Sequence, residues 1–130
     1  MKFSLTIAAA TLAAMASGAF ADEPDLKKGE KVYKKCKACH VVDKEKNKVG
    51  PHLVGLIGRK AASIEGYKYS KAMKAKGEEG LVWSEEVLLE YLIKPKEYVK
   101  GTKMAFGGLK KEKDRVNLVG YLVEATKPAE

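Results

Sequence analysis

The run Cys36-Lys37-Ala38-Cys39-His40 constrains this chain more than any other feature, because it holds both cysteines and one of the two histidines among 130 residues. Two thiols this close in sequence cannot tie distant segments together, so a disulfide between them would add little to the fold and leave His40 idle. A zinc site needs four ligands, and after Cys36, Cys39 and His40 only His52 remains as a good candidate, at unfavourable spacing. A redox dithiol of the thioredoxin kind belongs in a βαβ setting, which the flanking sequence lacks. The spacing suits one large flat cofactor. At a helix end the thiols of Cys36 and Cys39 can add to the two vinyl groups of a single haem, and the adjoining imidazole then reaches the iron from the same side. The string reads as the attachment of one covalent haem c, whose work is to pass single electrons.

Ahead of this motif lies a different kind of segment. Lys2 supplies a positive start, Phe3 to Ala16 is an apolar run broken only by Ser4, Thr6 and Thr11, and Ala19-Phe20-Ala21 puts small residues where a signal peptidase reads. The run is rich in Ala and shorter than the ~20 residues that span a bilayer, which argues against a retained anchor. Residues 1–21 are therefore expected to be a secretory signal cleaved after Ala21, and residues 22–130 to be the working domain, exported to the periplasm and free of any second long apolar run. A domain of this size buries a modest fraction of its surface and often needs a staple. With both cysteines committed to one motif, the haem itself is expected to build the core.

Hydrophobic spacing and end signals predict helices joined by long irregular stretches. Leu26, Val32, Tyr33 and Cys36 fall near helical spacing behind Asp25 as N-cap, giving a first helix from about Leu26 into the cysteines. Residues 41–66 carry charges, Gly50-Pro51, Gly55, Gly58 and Gly66, and read as loop. A short helix is predicted over Tyr69 to Lys76, and another over Glu85 to Lys94, capped by Ser84 and ended by Pro95. A last helix is predicted from about Lys113 to Ala125, with Val116, Val119, Tyr121, Leu122 and Val123 as its apolar positions. No segment alternates long enough for a strand. The fold class is all-α, and loops this long in so small a domain usually wrap a functional site.

The sixth ligand of the iron is approached by elimination. Met1 and Met15 leave with the signal, so Met73, Met104 and His52 remain. His52 follows Pro51 shortly after His40 and would have to cross to the other haem face. Met73 sits at helical spacing, where a methionine is ordinarily core filler. Met104 lies in the turn-rich Gly101-Thr102-Lys103-Met104 and can wrap round from afar. Spacing alone favours Met104 over Met73, with His52 last.

Taken together, Lys35-Cys-Lys-Ala-Cys-His40, Asn47-Lys-Val-Gly-Pro51, Gly55-Leu-Ile-Gly-Arg59, Gly66-Tyr-Lys-Tyr69, Trp83, Glu90-Tyr91-Leu92 and Gly101-Thr-Lys-Met104 make the chain resemble a class I c-type cytochrome, similar to bacterial cytochrome c2 and mitochondrial cytochrome c, from Gly29 to Ala125. The resemblance implies the cytochrome c fold, with N- and C-terminal helices crossing at Gly29, Tyr33 and Tyr121. It implies His40 and Met104 as axial ligands, and a Pro51 carbonyl that accepts the second imidazole N–H of His40. It implies that Arg59, Tyr69 and Trp83 hold the buried haem propionate, and that Tyr91 and Thr102 bond near the Met sulfur or the propionates. This sequence departs from the pattern at Met73, where mitochondrial members often carry Asn, and at Ala62, which replaces a frequent loop Gly. Glu78-Glu79-Gly80 reads as a short surface insertion.

The formal charge of +8 supplies the rest. Lys35, Lys37, Lys48, Lys96, Lys100 and Lys103, with Lys110 and Lys111, flank the attachment motif or the Met104 segment. A positive rim around an exposed haem edge would steer the protein onto acidic surfaces of membrane complexes. Nucleic acid would attract the same charge, but an exported haem protein rarely meets it. By resemblance the electron donor is a cytochrome bc complex and the acceptor a terminal oxidase or photosynthetic reaction centre, met by a monomer through transient contact. The expectation is an electron carrier rather than an enzyme. A peroxidase-like haem enzyme, or a gas or redox sensor with a labile sixth ligand, is the alternative from another class.

Overall fold

The computed structural model describes residues 23–129, so the signal segment and its cleavage after Ala21 lie outside the described residues. Five helices follow one another: α1 Leu26–Tyr33, α2 Lys71–Glu78, α3 Glu85–Tyr91, α4 Pro95–Tyr98 and α5 Glu112–Ala125. Among the described residues the only β pairing is an isolated antiparallel bridge between Lys60 and Val82. The all-α expectation holds.

Local signals set most of the helix starts. The Asp25 carboxylate accepts from the Lys28 N–H, Ser70 Oγ from the Met73 N–H and Ser84 Oγ from the Val87 N–H, so α1, α2 and α3 each begin on a side-chain cap. The ends differ more from expectation. The first helix does not reach the cysteines: beyond Tyr33 the chain tightens into turns, with Lys34 N–H bonded to Lys31 O and Cys39 N–H to Cys36 O at 3.0 Å. The third stops at Tyr91 rather than Lys94, because a residue before proline is driven out of the helical region and Lys94 lies at φ −159°, ψ 89°. Pro95 then opens α4, a helix that the sequence reading passed over although proline favours the first helical position. The second helix runs through Gly77 to Glu78, where a Cβ on Gly77 would lie 2.4 Å from the Ala61 carbonyl oxygen.

The core forms where α1 packs on α5 and α3 packs on α5 and α4. Leu118, Val119 and Val99 are fully buried, and Tyr33, Trp83, Leu88, Tyr91, Leu92 and Leu122 close around them. Each such side chain contributes about 1.5–3 kcal/mol by leaving water. Leu118, absent from the apolar positions picked out for the last helix, is among the most deeply buried. Gly29 lets α1 and α5 touch, since a Cβ there would stand 2.1 Å from Asn117 O and 2.7 Å from Tyr121 Cβ. The Tyr33 and Tyr121 rings meet beside it at 5.4 Å, and Asn117 Oδ1 accepts from the Asp25 N–H at 2.8 Å. The crossing of the terminal helices is therefore observed at the three residues named for it.

Ala62 is the one non-glycine described residue in the left-handed region, at φ 58°. An L side chain pays roughly 1–2 kcal/mol for that conformation. Ala62→Gly is expected to stabilise the fold by about 1 kcal/mol, less than the full strain because glycine loses more freedom on folding. Chemical denaturation read by circular dichroism should show a higher midpoint at unchanged slope; a lower midpoint refutes the strain.

Candidate functional site

The cysteines do not sit in a helix but in the turns that follow one. Cys36 N–H bonds Tyr33 O at 2.7 Å and His40 N–H bonds Cys36 O at 3.0 Å, which coils the five residues tightly enough for both thiols and the imidazole to line the same cavity. Burial, with the neighbouring Cys39, pushes the Cys36 thiol up to about 11. Among the described residues no three of His, Cys, Asp and Glu converge as a metal site.

His40 is locked on several sides. Its Nδ1–H donates to Pro51 O at 2.7 Å, which leaves Nε2 as the free lone pair. Tyr33 Oη donates to the His40 carbonyl at 2.8 Å. Gly50 lies so close that a Cβ there would come within 2.4 Å of His40 Cε1. Burial holds the imidazole below its ordinary range while the Pro51 carbonyl pulls the other way. The roles of Gly50 and of the Tyr33 hydroxyl escaped the sequence reading. Gly50 stood in plain view beside Pro51, but nothing in a single sequence says that its missing side chain makes room for a ring.

The cavity measures about 320 Å³ and its wall is mainly apolar, with Leu53, Leu56, Leu88, Leu92, Phe106 and Leu118 among the lining. Arg59, Tyr69, Trp83, Tyr91, Thr102 and Met104 all reach it, as does Pro51. Arg59 Nη1 donates to His52 O at 2.8 Å and Val54 O at 3.3 Å, while its Nε is buried without a partner. Tyr69 Oη accepts from the Ile64 N–H at 3.2 Å. The Trp83 indole packs on the Tyr91 ring at 4.9 Å. Tyr91 Oη donates to Met104 Sδ at 3.7 Å, and Thr102 Oγ1 accepts from the Met104 N–H at 3.2 Å, so the Met104 segment is held by a side-chain turn and a phenol. Burial raises the Tyr91 phenol to about 12, with the Thr102 hydroxyl opposing, so it remains a donor at any working pH. Met73 also lines the cavity, from α2. His52 does not.

These residues fit a haem. The volume lies in the range of a cofactor pocket, two thiols and a fixed imidazole share its wall with a thioether, and a buried guanidinium N–H lacks an acceptor that a carboxylate would supply. The sequence profile of cytochrome c matches residues 26–126, nearly all of the described chain. The chain belongs to the cytochrome c family. It is 54% identical over 105 residues to cytochrome c of Gibberella zeae, covering 79% of this chain and 96% of that one. It is 52% identical over 105 residues to cytochrome c of Arabidopsis thaliana, covering 79% and 91%, and 46% identical over 111 residues to cytochrome c2 of Agrobacterium tumefaciens, covering 83% and all of the relative. As a cytochrome c it is an electron carrier, and it carries one covalent haem c.

The surface of this cytochrome c near the cavity is lysine-bearing and partly apolar. Lys35 and Lys103 line the cavity itself, beside Val49, which is 76% exposed. Lys48 Nζ donates to the Lys37 carbonyl at 3.3 Å, so those two adjoin one another. Lys103 Nζ donates to Lys68 O and stands 5.2 Å from the Tyr67 ring centre, while Tyr67 Oη donates to Val49 O at 2.7 Å. Lys96 and Lys100 are exposed but do not line the cavity. Among the described residues none of these six lysines forms an ion pair, in contrast to Lys28, Lys76, Lys94 and Lys127. No helix among the described residues is long and apolar enough to cross a membrane.

Proposed function

We propose that the chain is an exported carrier of single electrons in the periplasm, cleaved after Ala21 and acting as a monomer between a cytochrome bc complex and a terminal oxidase or photosynthetic reaction centre. The observation that carries the proposal is the convergence of Cys36, Cys39, His40 and Met104 on one apolar cavity. Cys36 and Cys39 hold the haem through thioethers. His40 and Met104 would supply the two protein ligands to its iron, a pairing that would leave oxygen and peroxide no open site and that argues for a carrier over a peroxidase-like enzyme or gas sensor. When bound, the haem supplies an iron that exchanges one electron between ferrous and ferric states. The protein's part is to bias and to hold. A His and Met pair favours the ferrous form, and the apolar wall does the same, because the oxidised centre brings one more charge into low dielectric.

Around these four residues the rest fall into supporting roles. The Pro51 carbonyl fixes the His40 ring and raises its basicity. Arg59, Tyr69 and Trp83 hold a propionate, and Arg59 Nε is the donor with the clearest need of one. Tyr91 and Thr102 fix the thioether. Lys35, Lys37, Lys48, Lys96, Lys100 and Lys103 guide docking, and their lack of ion pairs among the described residues leaves their charge available to a partner.

Two measurements test the reading. The intact mass of the isolated protein, taken with oxidised and reduced absorption spectra, should correspond to residues 22–130 plus one covalent haem; an unaltered N-terminus overturns export processing. Electron transfer to an acidic membrane complex should slow about tenfold on raising the salt through the range where screening falls below ~10 Å. A rate independent of salt would dispose of the lysine rim while leaving the haem site intact.

A further inference from the structure

His52 is a buried residue, 6% exposed, that is not among those lining the cavity. The Val54 N–H donates to its Nδ1 at 3.2 Å. That is the arrangement by which an Asn or Asp side chain closes a turn two residues on. A backbone N–H can only donate, so Nδ1 holds the lone pair and the proton sits on Nε2. From the other side Asn47 Oδ1 accepts from the His52 N–H at 3.0 Å, so residues 52–54 are pinned at both ends.

The turn so made has one evident client. Its two carbonyls, His52 O and Val54 O, accept from the same Arg59 Nη1, at 2.8 and 3.3 Å. With that nitrogen clamped, the guanidinium has one orientation, in which Nε is buried and unpartnered in a residue that lines the cavity. We infer that His52 is a positioning residue for electron transfer: its Nδ1 closes the 52–54 turn, and the turn aims Arg59 at the haem propionate. The inference rests on the reading of Arg59 given above and deepens it. Burial and the neighbouring Arg59 cation hold His52 below the ordinary histidine range, with Glu45 pulling the other way, so the imidazole stays neutral and its lone pair is available.

Loss of that acceptor would leave the part-buried Val54 N–H without its partner and free the turn to relax. Arg59 would then lose its fixed carbonyl pair, and its positive charge would bear less on the cofactor. A less well placed cation opposes the ferric state less, so the potential falls.

The test uses haem-loaded protein and reads the ferrous-to-ferric ratio at fixed ambient potential. His52→Leu should lower the ratio about threefold, equivalent to ~30 mV at 59 mV per tenfold for one electron. His52→Asn should restore the parent ratio, because its Oδ1 reaches the same N–H. Arg59→Gln should lower the ratio at least as far, and His52→Leu should add nothing on top of it. An unmoved ratio in Arg59→Gln overturns the reading of Arg59 and this inference with it. A lowered ratio in Arg59→Gln with a parent ratio in His52→Leu overturns the inference alone, as does a His52→Asn protein that stays as low as His52→Leu. Nitrogen NMR of the unsubstituted protein needs no variant to fold: it should show His52 protonated at Nε2, and protonation at Nδ1 instead overturns the inference.

Discussion

Met104→Ala is expected to abolish the thioether-to-iron absorption band of the oxidised protein, and Met73→Ala to leave it in place. Both methionines line the cavity, so lining alone does not choose between them. What chooses is how each is held. Met104 sits in a turn closed by Thr102 Oγ1, with its sulfur accepting from the Tyr91 hydroxyl, an arrangement that fixes a ligand. Met73 is the third residue of α2, its N–H spent on the Ser70 cap, and its side chain packs against the core as methionines ordinarily do. On the proposed assignment, truncating Met104 would remove an iron ligand that favours the ferrous state, and it would leave the Tyr91 hydroxyl without its acceptor. Carbon monoxide binding to the reduced protein should accelerate by at least about a hundredfold, since no bond to sulfur has to break first; each ~1.4 kcal/mol of that barrier is a factor of ten. Retention of the band in Met104→Ala and its loss in Met73→Ala would reverse the axial assignment. Fast carbon monoxide binding by the unsubstituted protein would instead favour the sensor or peroxidase reading.

Gly29→Ala should be the most damaging single methyl group that can be added to the helices. An isolated helix would gain about 1 kcal/mol from the exchange. Here the new Cβ meets Asn117 O at 2.1 Å and Tyr121 Cβ at 2.7 Å, neither of them the far end of a flexible side chain. The helices can only separate, which loosens the Tyr33–Tyr121 contact and the Asp25–Asn117 hydrogen bond together. Overpacking of this kind costs about 1–3 kcal/mol or more and exceeds the propensity gain. A net loss of about 2 kcal/mol corresponds to a fall of about 10 °C in the unfolding midpoint of a domain this size, to be read by circular dichroism on haem-loaded protein. A midpoint at or above that of the parent would show that the two helices do not depend on this contact.

The parts of the molecule legible in its residues were those with a chemical reason confined to a few neighbours. Asp25, Ser70 and Ser84 cap helices because a short oxygen-bearing side chain reaches an N–H three residues on, and the structure has all three bonds. Ser70 nevertheless stood inside the predicted second helix, which begins one residue after it. The attachment string was legible because its spacing suits so little else. Helix ends were less so. The stop at Tyr91 and the new start at Pro95 both follow from one proline, which ends one helix and opens the next. Least legible were features defined by what a distant segment brings. Gly50 makes room for the His40 ring, the Tyr33 hydroxyl serves the His40 carbonyl, and Leu118 reaches both the core and the cavity. His52 could be weighed as a ligand from its residue type, but its bond to Val54 and the service of that turn to Arg59 need three-dimensional neighbours.

The clasp between α1 and α5 has a consequence for how the molecule comes into being. Asp25 and Asn117 are bonded across 92 positions of sequence, and every residue assigned to the cofactor lies between them. Synthesis proceeds from the N-terminus, so the thiols of Cys36 and Cys39 emerge long before the helix that closes the fold. Closing so long a loop carries an entropic cost that grows only slowly with length, but it cannot be met until the last helix exists. The pocket is thus complete only once α5 has docked on α1, so its walls depend on a contact that lies outside the site.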